Sequence, residues 1–183
     1  MIIGLTGTIG AGKGTVVEYL LQHHNFRHYS VRDVLIDELS RREKELNRDN
    51  MSALGDELRK AHGAGYFMDA LLLKAQKEGG NAIIESIRNI GEVKSMKEKA
   101  INFYLFAVDA DPKVRFERII KRNSSTDHVT FEKFQEDEAK ESGHNEPWRM
   151  NIPACIALAD YKFVNNGDVE DFFAQVEEVM KKL

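Results

Sequence analysis

Gly7-Thr8-Ile9-Gly10-Ala11-Gly12-Lys13-Gly14-Thr15 is the segment whose residue types and spacing point most directly to chemistry. It follows the apolar run Ile2-Ile3-Gly4-Leu5-Thr6 and precedes residues 13–24, where Val16, Val17, Leu20 and Leu21 have helical spacing. Strand before and helix after is the setting in which a glycine pattern becomes a phosphate-binding loop. Glycines let successive amides turn inward, and a helix N-terminus adds the positive end of its dipole. Lys13 supplies a point charge for the β- and γ-phosphates of a nucleoside triphosphate, and a hydroxyl at the helix start suits Mg²⁺. The strict pattern places that hydroxyl directly after the lysine. Here Gly14 intervenes and Thr15 carries it.

Three further groups have suitable chemistry. Glu85 closes the apolar run Ala82-Ile83-Ile84, and Arg88 follows three residues later. A carboxylate at the carboxyl end of such a strand faces the crevice where ligands of open α/β sheets bind, and its hard oxygen suits Mg²⁺. A strand-end acid paired with a nearby base is the plainer role. Ser30 and Asp33 stand after a short strand at 26–30, with Arg32 between them. Their spacing fits a helix capping box, which would still leave Asp33 at a cleft edge. Arg115, Arg118 and Arg122 are spaced three and four apart after Asp111-Pro112, a helix-opening pair, so they share a face. Planar arginine forks suit the charge that spreads over a transferring phosphoryl group, although solvated basic faces are common. Arg149 is a weaker candidate, and the six histidines lack ligand spacing.

The elements that must position these groups alternate. Strand-type runs fall at 2–6, 26–30, 82–85, 102–108 and 161–165. Residues 31–79 read as helices broken near 47–50 and 62–65. A final helix carries Val169, Phe172, Phe173, Val176, Val179, Met180 and Leu183 on one face. Alternation of this kind implies an α/β fold with a parallel sheet covered on both faces. Residues 123–148 are polar and broken, including His128, His144 and Trp148, and read as a flap with a helix around 130–142. With 183 residues, a single domain is expected. Twenty-six basic against 30 acidic residues, a net charge of −4, leave no global basic field, and no basic-aromatic surface argues for nucleic acid. Cys155, the single cysteine, rules out an intrachain disulfide framework. No apolar run is long enough for a membrane span, and glycines interrupt an uncharged start, so neither a membrane anchor nor a signal peptide is expected. A cytoplasmic location is the simplest expectation.

These motifs resemble the nucleotide-kinase branch of the phosphate-loop proteins: adenylate kinase, other nucleoside monophosphate kinases and dephospho-CoA kinase. Gly12-Lys13-Gly14-Thr15 and the third-strand segment look like monophosphate kinases. Gly4-Leu5-Thr6-Gly7-Thr8-Ile9-Gly10 and Ala159-Asp160-Tyr161-Lys162-Phe163-Val164-Asn165-Asn166-Gly167 look like dephospho-CoA kinase. The resemblance implies a three-layer fold with a five-stranded parallel sheet ordered 2-3-1-4-5, and ATP and Mg²⁺ as cofactors. The core would be 1–30, 80–122 and 149–183, the acceptor-binding part 31–79 and the lid 123–148. Gly7, Thr8, Gly10, Ala11, Gly12, Lys13, Gly14 and Thr15 would hold ATP, with Asn165 and Gly167 near the adenine. Thr15 and Glu85 would serve the metal. Arg118 and Arg122 match an Arg-x-x-x-Arg spacing that reaches ATP. Arg88 would grip the acceptor phosphate, with Ser30, Arg32 and Asp33 beside it. The family's acceptor arginine is Ile36 here. The resemblance implies transfer of the γ-phosphoryl of Mg·ATP to a nucleotide-type acceptor. That acceptor would be a nucleoside or deoxynucleoside monophosphate, or dephospho-CoA, for which Asp33 would act as base. A nucleotide-dependent switch without a small acceptor is the third reading.

Overall fold

Six consecutive buried residues form β1 (Ile2–Gly7), the middle strand of the sheet. A computed structural model describes residues 1–122, 130–144 and 146–183. After β1 the chain runs through α1 (Lys13–His23), β2 (Phe26–Ser30), α2 (Val31–Arg41), α3 (Arg48–His62) and α4 (Tyr66–Glu78). It continues through β3 (Asn81–Glu85), α5 (Ile90–Lys99), β4 (Phe103–Asp109), α6 (Pro112–Arg122) and α7 (Phe131–Lys140). It ends with α8 (Ile152–Ala157), β5 (Tyr161–Val164) and α9 (Val169–Met180). All strand pairs are parallel, in the expected order β2-β3-β1-β4-β5. Every interior strand is therefore buried on both faces, which explains their continuous apolar runs.

Successive side chains of a strand point to opposite faces, and the core divides accordingly. Ile3, Ile83 and Phe106 pack with Leu20 of α1 and with Phe172 and Val176 of α9. Ile2, Ile84 and Leu105 pack on the other face with Leu39, Met68, Leu72, Met96 and Cys155. Helices thus cover both sides of the sheet. The residues that follow β1, β2 and β3, with α6 after β4, line one crevice at the carboxyl end of the sheet.

Some boundaries differ from the sequence expectation. The break after α2 lies before Asn47, because the Asn47 side chain accepts from Asn50 N–H and caps α3. Asn102 has φ 53°, a left-handed turn that precedes β4 instead of joining it. Asn165 falls just past β5. Neither α5 nor the six-residue α8 is among the elements expected from spacing. The described part of the flap contains α7, capped by Thr130. Its remaining residues, 123–129 with His128 among them, and 145, lie outside the described residues. Among the described residues no helix is long and apolar enough to cross a membrane.

Candidate nucleotide and phosphoryl-transfer site

The turn from β1 into α1 requires glycine at specific points. Gly10 and Gly12 have φ of +76° and +105°. A Cβ on Gly10 would lie 2.6 Å from the Arg115 carbonyl oxygen, and one on Gly12 would lie 2.3 Å from Asn165 Nδ2. These glycines serve both the bend and the close approach of neighbouring elements. A Cβ on Gly14 would meet nothing within 4 Å, so backbone crowding does not dictate that residue.

Lys13 opens α1, and its Nζ donates to the Gly7 and Thr8 carbonyls, each at 2.8 Å. Burial, together with the charges of Arg88 and Arg122, lowers its ammonium to about 8, although Glu141 and Glu85 oppose the shift. The side chains that act on Lys13 are therefore those of β3, its following loop, α6 and the end of α7. All line one cavity of ≈ 610 Å³, a size common for small-molecule sites.

The sequence candidates fall into groups around this cavity. Gly10, Gly12, Lys13, Gly14, Thr15, Arg32, Glu85, Arg88, Arg118 and Arg122 line it. Thr15 and Glu85 bring hard oxygens to the same cavity, donors of the kind that suits Mg²⁺. Burial pushes the Glu85 carboxyl up, but hydrogen bonding to His28 and Ser30 and the Lys13 charge outweigh it and hold the group below its usual range. Ser30 Oγ donates to Glu85 Oε1 at 3.0 Å, and His28 Nε2 lies 3.4 Å from the same oxygen. Hydrogen bonding to Glu85 raises the His28 pKa against the opposing effect of burial.

Other candidates take different positions. Ser30 accepts from Arg32 N–H as the cap of α2, and among the described residues no return bond from Asp33 closes a box. The capping box that does form joins Asn89 and Glu92 at the start of α5. Asp33 is exposed and is not part of the cavity wall. Ala11 is buried and Gly7 ends β1, and neither is among the residues lining the cavity. Thr8 Oγ1 donates to Asp109 Oδ1 at 2.6 Å, tying the loop to β4. Gly167 is exposed beyond β5. Asn165 is buried and clamps the loop. Its Nδ2 donates to the Ala11 carbonyl at 2.8 Å, and its backbone and side-chain oxygens accept from Arg118 at 2.7 and 3.2 Å.

The expected row of three arginines divides along the helix axis. Arg115 is buried in the first turns of α6 and reaches the Ala110 and Ile9 carbonyls, Glu138 of α7 and the Phe134 ring. It braces the loop and α7. Arg118 and Arg122, one and two turns further, reach the cavity. Arg88 Nη1 donates to Glu141 Oε1 at 2.6 Å, and both residues line the cavity. Arg149 is exposed, next to His144.

Glu141, His28 and Asp109 were not legible as site residues, because each pairs across long sequence separations without a local pattern. Arg59 and Glu92 form a buried ion pair at 2.8 Å, and Arg59 lines the cavity. The Asn89-x-x-Glu92 spacing was a signal for that carboxylate.

A family model described as an AAA domain matches residues 3–142. A UPF0200 protein of Sulfurisphaera tokodaii is 31% identical over 182 residues, covering 100% of this chain and 97% of the relative. The chain belongs to the AAA domain family and to the UPF0200 proteins. A further UPF0200 protein, from Thermococcus kodakarensis, is 29% identical over 188 residues, with 100% and 98% covered. The AAA domain match spans the phosphate loop through α7 and ends before Asn165. Among solved structures, TT1252 from Thermus thermophilus superposes with a TM-score of 0.58 at 18% identity, covering 100% of this chain and 97% of that one. Shikimate kinase from Bacteroides thetaiotaomicron gives 0.56 at 17% identity, with 99% and 98% covered. The fold is that of the phosphate-loop nucleotide-kinase superfamily.

Proposed function

We propose that this protein transfers the γ-phosphoryl group of Mg·ATP to a nucleoside or deoxynucleoside monophosphate. The observation that carries the reading is a single cavity. It runs from Lys13 and Thr15 past Glu85 and Arg88 to Arg118 and Arg122, and on to the helices after β2. Donor and acceptor would meet there in line. Lys13 exchanges the Gly7 and Thr8 carbonyls for β- and γ-phosphate oxygens, with the amides of the loop and the α1 N-terminus around them. Thr15 and Glu85 would hold Mg²⁺, which, when bound, screens the charge of the transferred group. Arg118 and Arg122 offer planar donors to the equatorial oxygens. Arg88 exchanges Glu141 for an acceptor oxygen, and α7 above it excludes water that would otherwise hydrolyse ATP.

The acceptor is already an anion in this reading and needs no base. Asp33, the base that a hydroxyl acceptor such as dephospho-CoA would need, is exposed and is not among the residues lining the cavity, which favours the monophosphate reading. The test is a coupled assay of Mg·ATP with nucleoside and deoxynucleoside monophosphates and with dephospho-CoA. Turnover with one or more monophosphates is expected. Slow ATP hydrolysis that no acceptor alters would overturn the kinase reading in favour of a nucleotide-dependent switch.

A further inference from the structure

α3 brings a buried arginine, Arg59, to the cavity that Val31, Leu35 and Met51 also line. Arg59 is 3% exposed. Its Nε donates to Glu92 Oε1 at 2.8 Å, and its guanidinium carbon lies 4.9 Å from the centre of the Phe67 ring. Gly55, one turn earlier, leaves room for it: a Cβ there would lie 2.8 Å from Arg59 Nη1. Glu92 is itself fixed, its Oε2 accepting from the Arg88 and Asn89 amides at 2.7 and 3.3 Å. The arginine is thus oriented from three directions through Nε, its flat face and the space over Gly55.

Its terminal nitrogens are different. Among the described residues none accepts a hydrogen bond from them, although Arg59 lines the cavity. A buried guanidinium with idle donors is costly, and an ion pair in this position is not needed for stability, since apolar replacements of buried pairs are often neutral or better. The fork has the geometry of an oxyanion receptor. Val31, Leu35 and Met51 give the wall beside it apolar surface for the body of a ligand.

We infer that Arg59 anchors the phosphoryl acceptor, its two terminal nitrogens receiving a phosphomonoester carried by that molecule and Glu92 holding the fork in place. The inference rests on the kinase reading above and names the group that selects its acceptor.

Titration calorimetry tests it on the full chain after the phosphate loop is saturated with Mg²⁺ and a non-hydrolysable ATP analogue. Nucleoside 5′-monophosphates and the matching nucleosides serve as probes. A monophosphate is expected to bind far more tightly than its nucleoside. Arg59→Lys, which keeps the cation beside Glu92 but cannot supply Nε and a two-nitrogen fork together, is expected to weaken the monophosphate about 10- to 100-fold. Affinity for the ATP analogue should stay within about twofold, and in the coupled assay the loss should appear in the acceptor KM. Arg59→Met with Glu92→Gln removes both buried charges, keeps an amide oxygen to accept from the Arg88 and Asn89 N–H groups, should remain folded by circular dichroism, and should lose the monophosphate. Arg59→Lys binding the probes as the wild type does, or wild-type protein binding nucleoside and monophosphate equally, overturns the anchor. So does a loaded wild-type protein that binds no monophosphate, which leaves the triphosphate site standing. Failure of the ATP analogue itself to bind sinks the kinase reading, and the anchor with it.

Discussion

Asn165→Leu is the substitution whose consequences are most directly worked out from the structure. The side chains are close in size, so the change removes polarity and leaves little cavity. Two bonds disappear: Nδ2 to the Ala11 carbonyl at 2.8 Å, and Arg118 to Oδ1 at 3.2 Å. The bond from Arg118 to the Asn165 backbone oxygen at 2.7 Å persists, because it does not involve the side chain. A neutral bond contributes about 0.5–1.5 kcal/mol net and one to a charged group about 1.5–3, so a loss of about 2–4 kcal/mol is expected. For a chain of this size that lowers Tm by roughly 5–15 °C. The loop is also released at Ala11, between Gly10 and Gly12, so affinity for Mg·ATP should fall about tenfold or more. Differential scanning calorimetry reads the first effect and a nucleotide titration the second. A variant with wild-type Tm and wild-type ATP affinity would refute the claim that Asn165 shapes the loop.

Four further outcomes are expected. Lys13→Ala should lower turnover by about two orders of magnitude or more while the circular dichroism spectrum is retained; wild-type-like turnover would contradict the assigned role. Because the Lys13 ammonium lies at about 8 in the free protein, triphosphate binding near that pH should take up a fraction of a proton, seen by calorimetry in buffers of different ionisation enthalpy and absent from Lys13→Ala. The His28–Glu85 contact raises the histidine and lowers the acid, so its stabilisation is fullest between the unfolded values of 4.5 and 6.5. It fades as pH rises through the raised His28 value and as pH falls through the lowered Glu85 value. The Tm difference between wild type and His28→Asn should follow that window, and a pH-independent difference would exclude the linkage. Ser86, with φ 71°, turns the chain between Glu85 and Arg88. Ser86→Val places a branched residue in the left-handed region and should destabilise by about 1–2 kcal/mol in urea unfolding; an unchanged midpoint would show that this turn is not strained.

The parts of the site that the sequence revealed are those fixed by local geometry. A strand, a glycine-rich turn and a helix lie within Ile2–His23, and their order alone places Lys13 and Thr15. Glu85 and Arg88 were legible because a strand end and a short loop determine where they emerge. The sheet order came with the family resemblance and matches the observed one. Helical spacing puts Arg115 on the face of Arg118 and Arg122, but it gives only the angle around an axis and says nothing of what lies over each turn. Glu138 and Phe134 of α7 cover the first turns of α6 and leave Arg118 and Arg122 to the cavity. Arg59 was hidden for a related reason: Glu92 is 33 residues away on another helix, and a polar helix such as α3 does not disclose which of its charges is buried. α5 escaped notice because its buried positions include Glu92 and Ser95 as well as Val93 and Met96, which blurs the apolar period.

The bond from Asn165 to Ala11 joins residues 154 positions apart. During synthesis the phosphate loop therefore leaves the ribosome long before the strand that delivers its clamp. A nascent or truncated chain ending before β5 contains every glycine and the lysine of the motif, yet lacks the amide that fixes their shape. If the loop holds a triphosphate as proposed, its full affinity is therefore reached only after the segment following β5 has docked, and a chain ending before β5 is expected to bind nucleotide more weakly than the whole one.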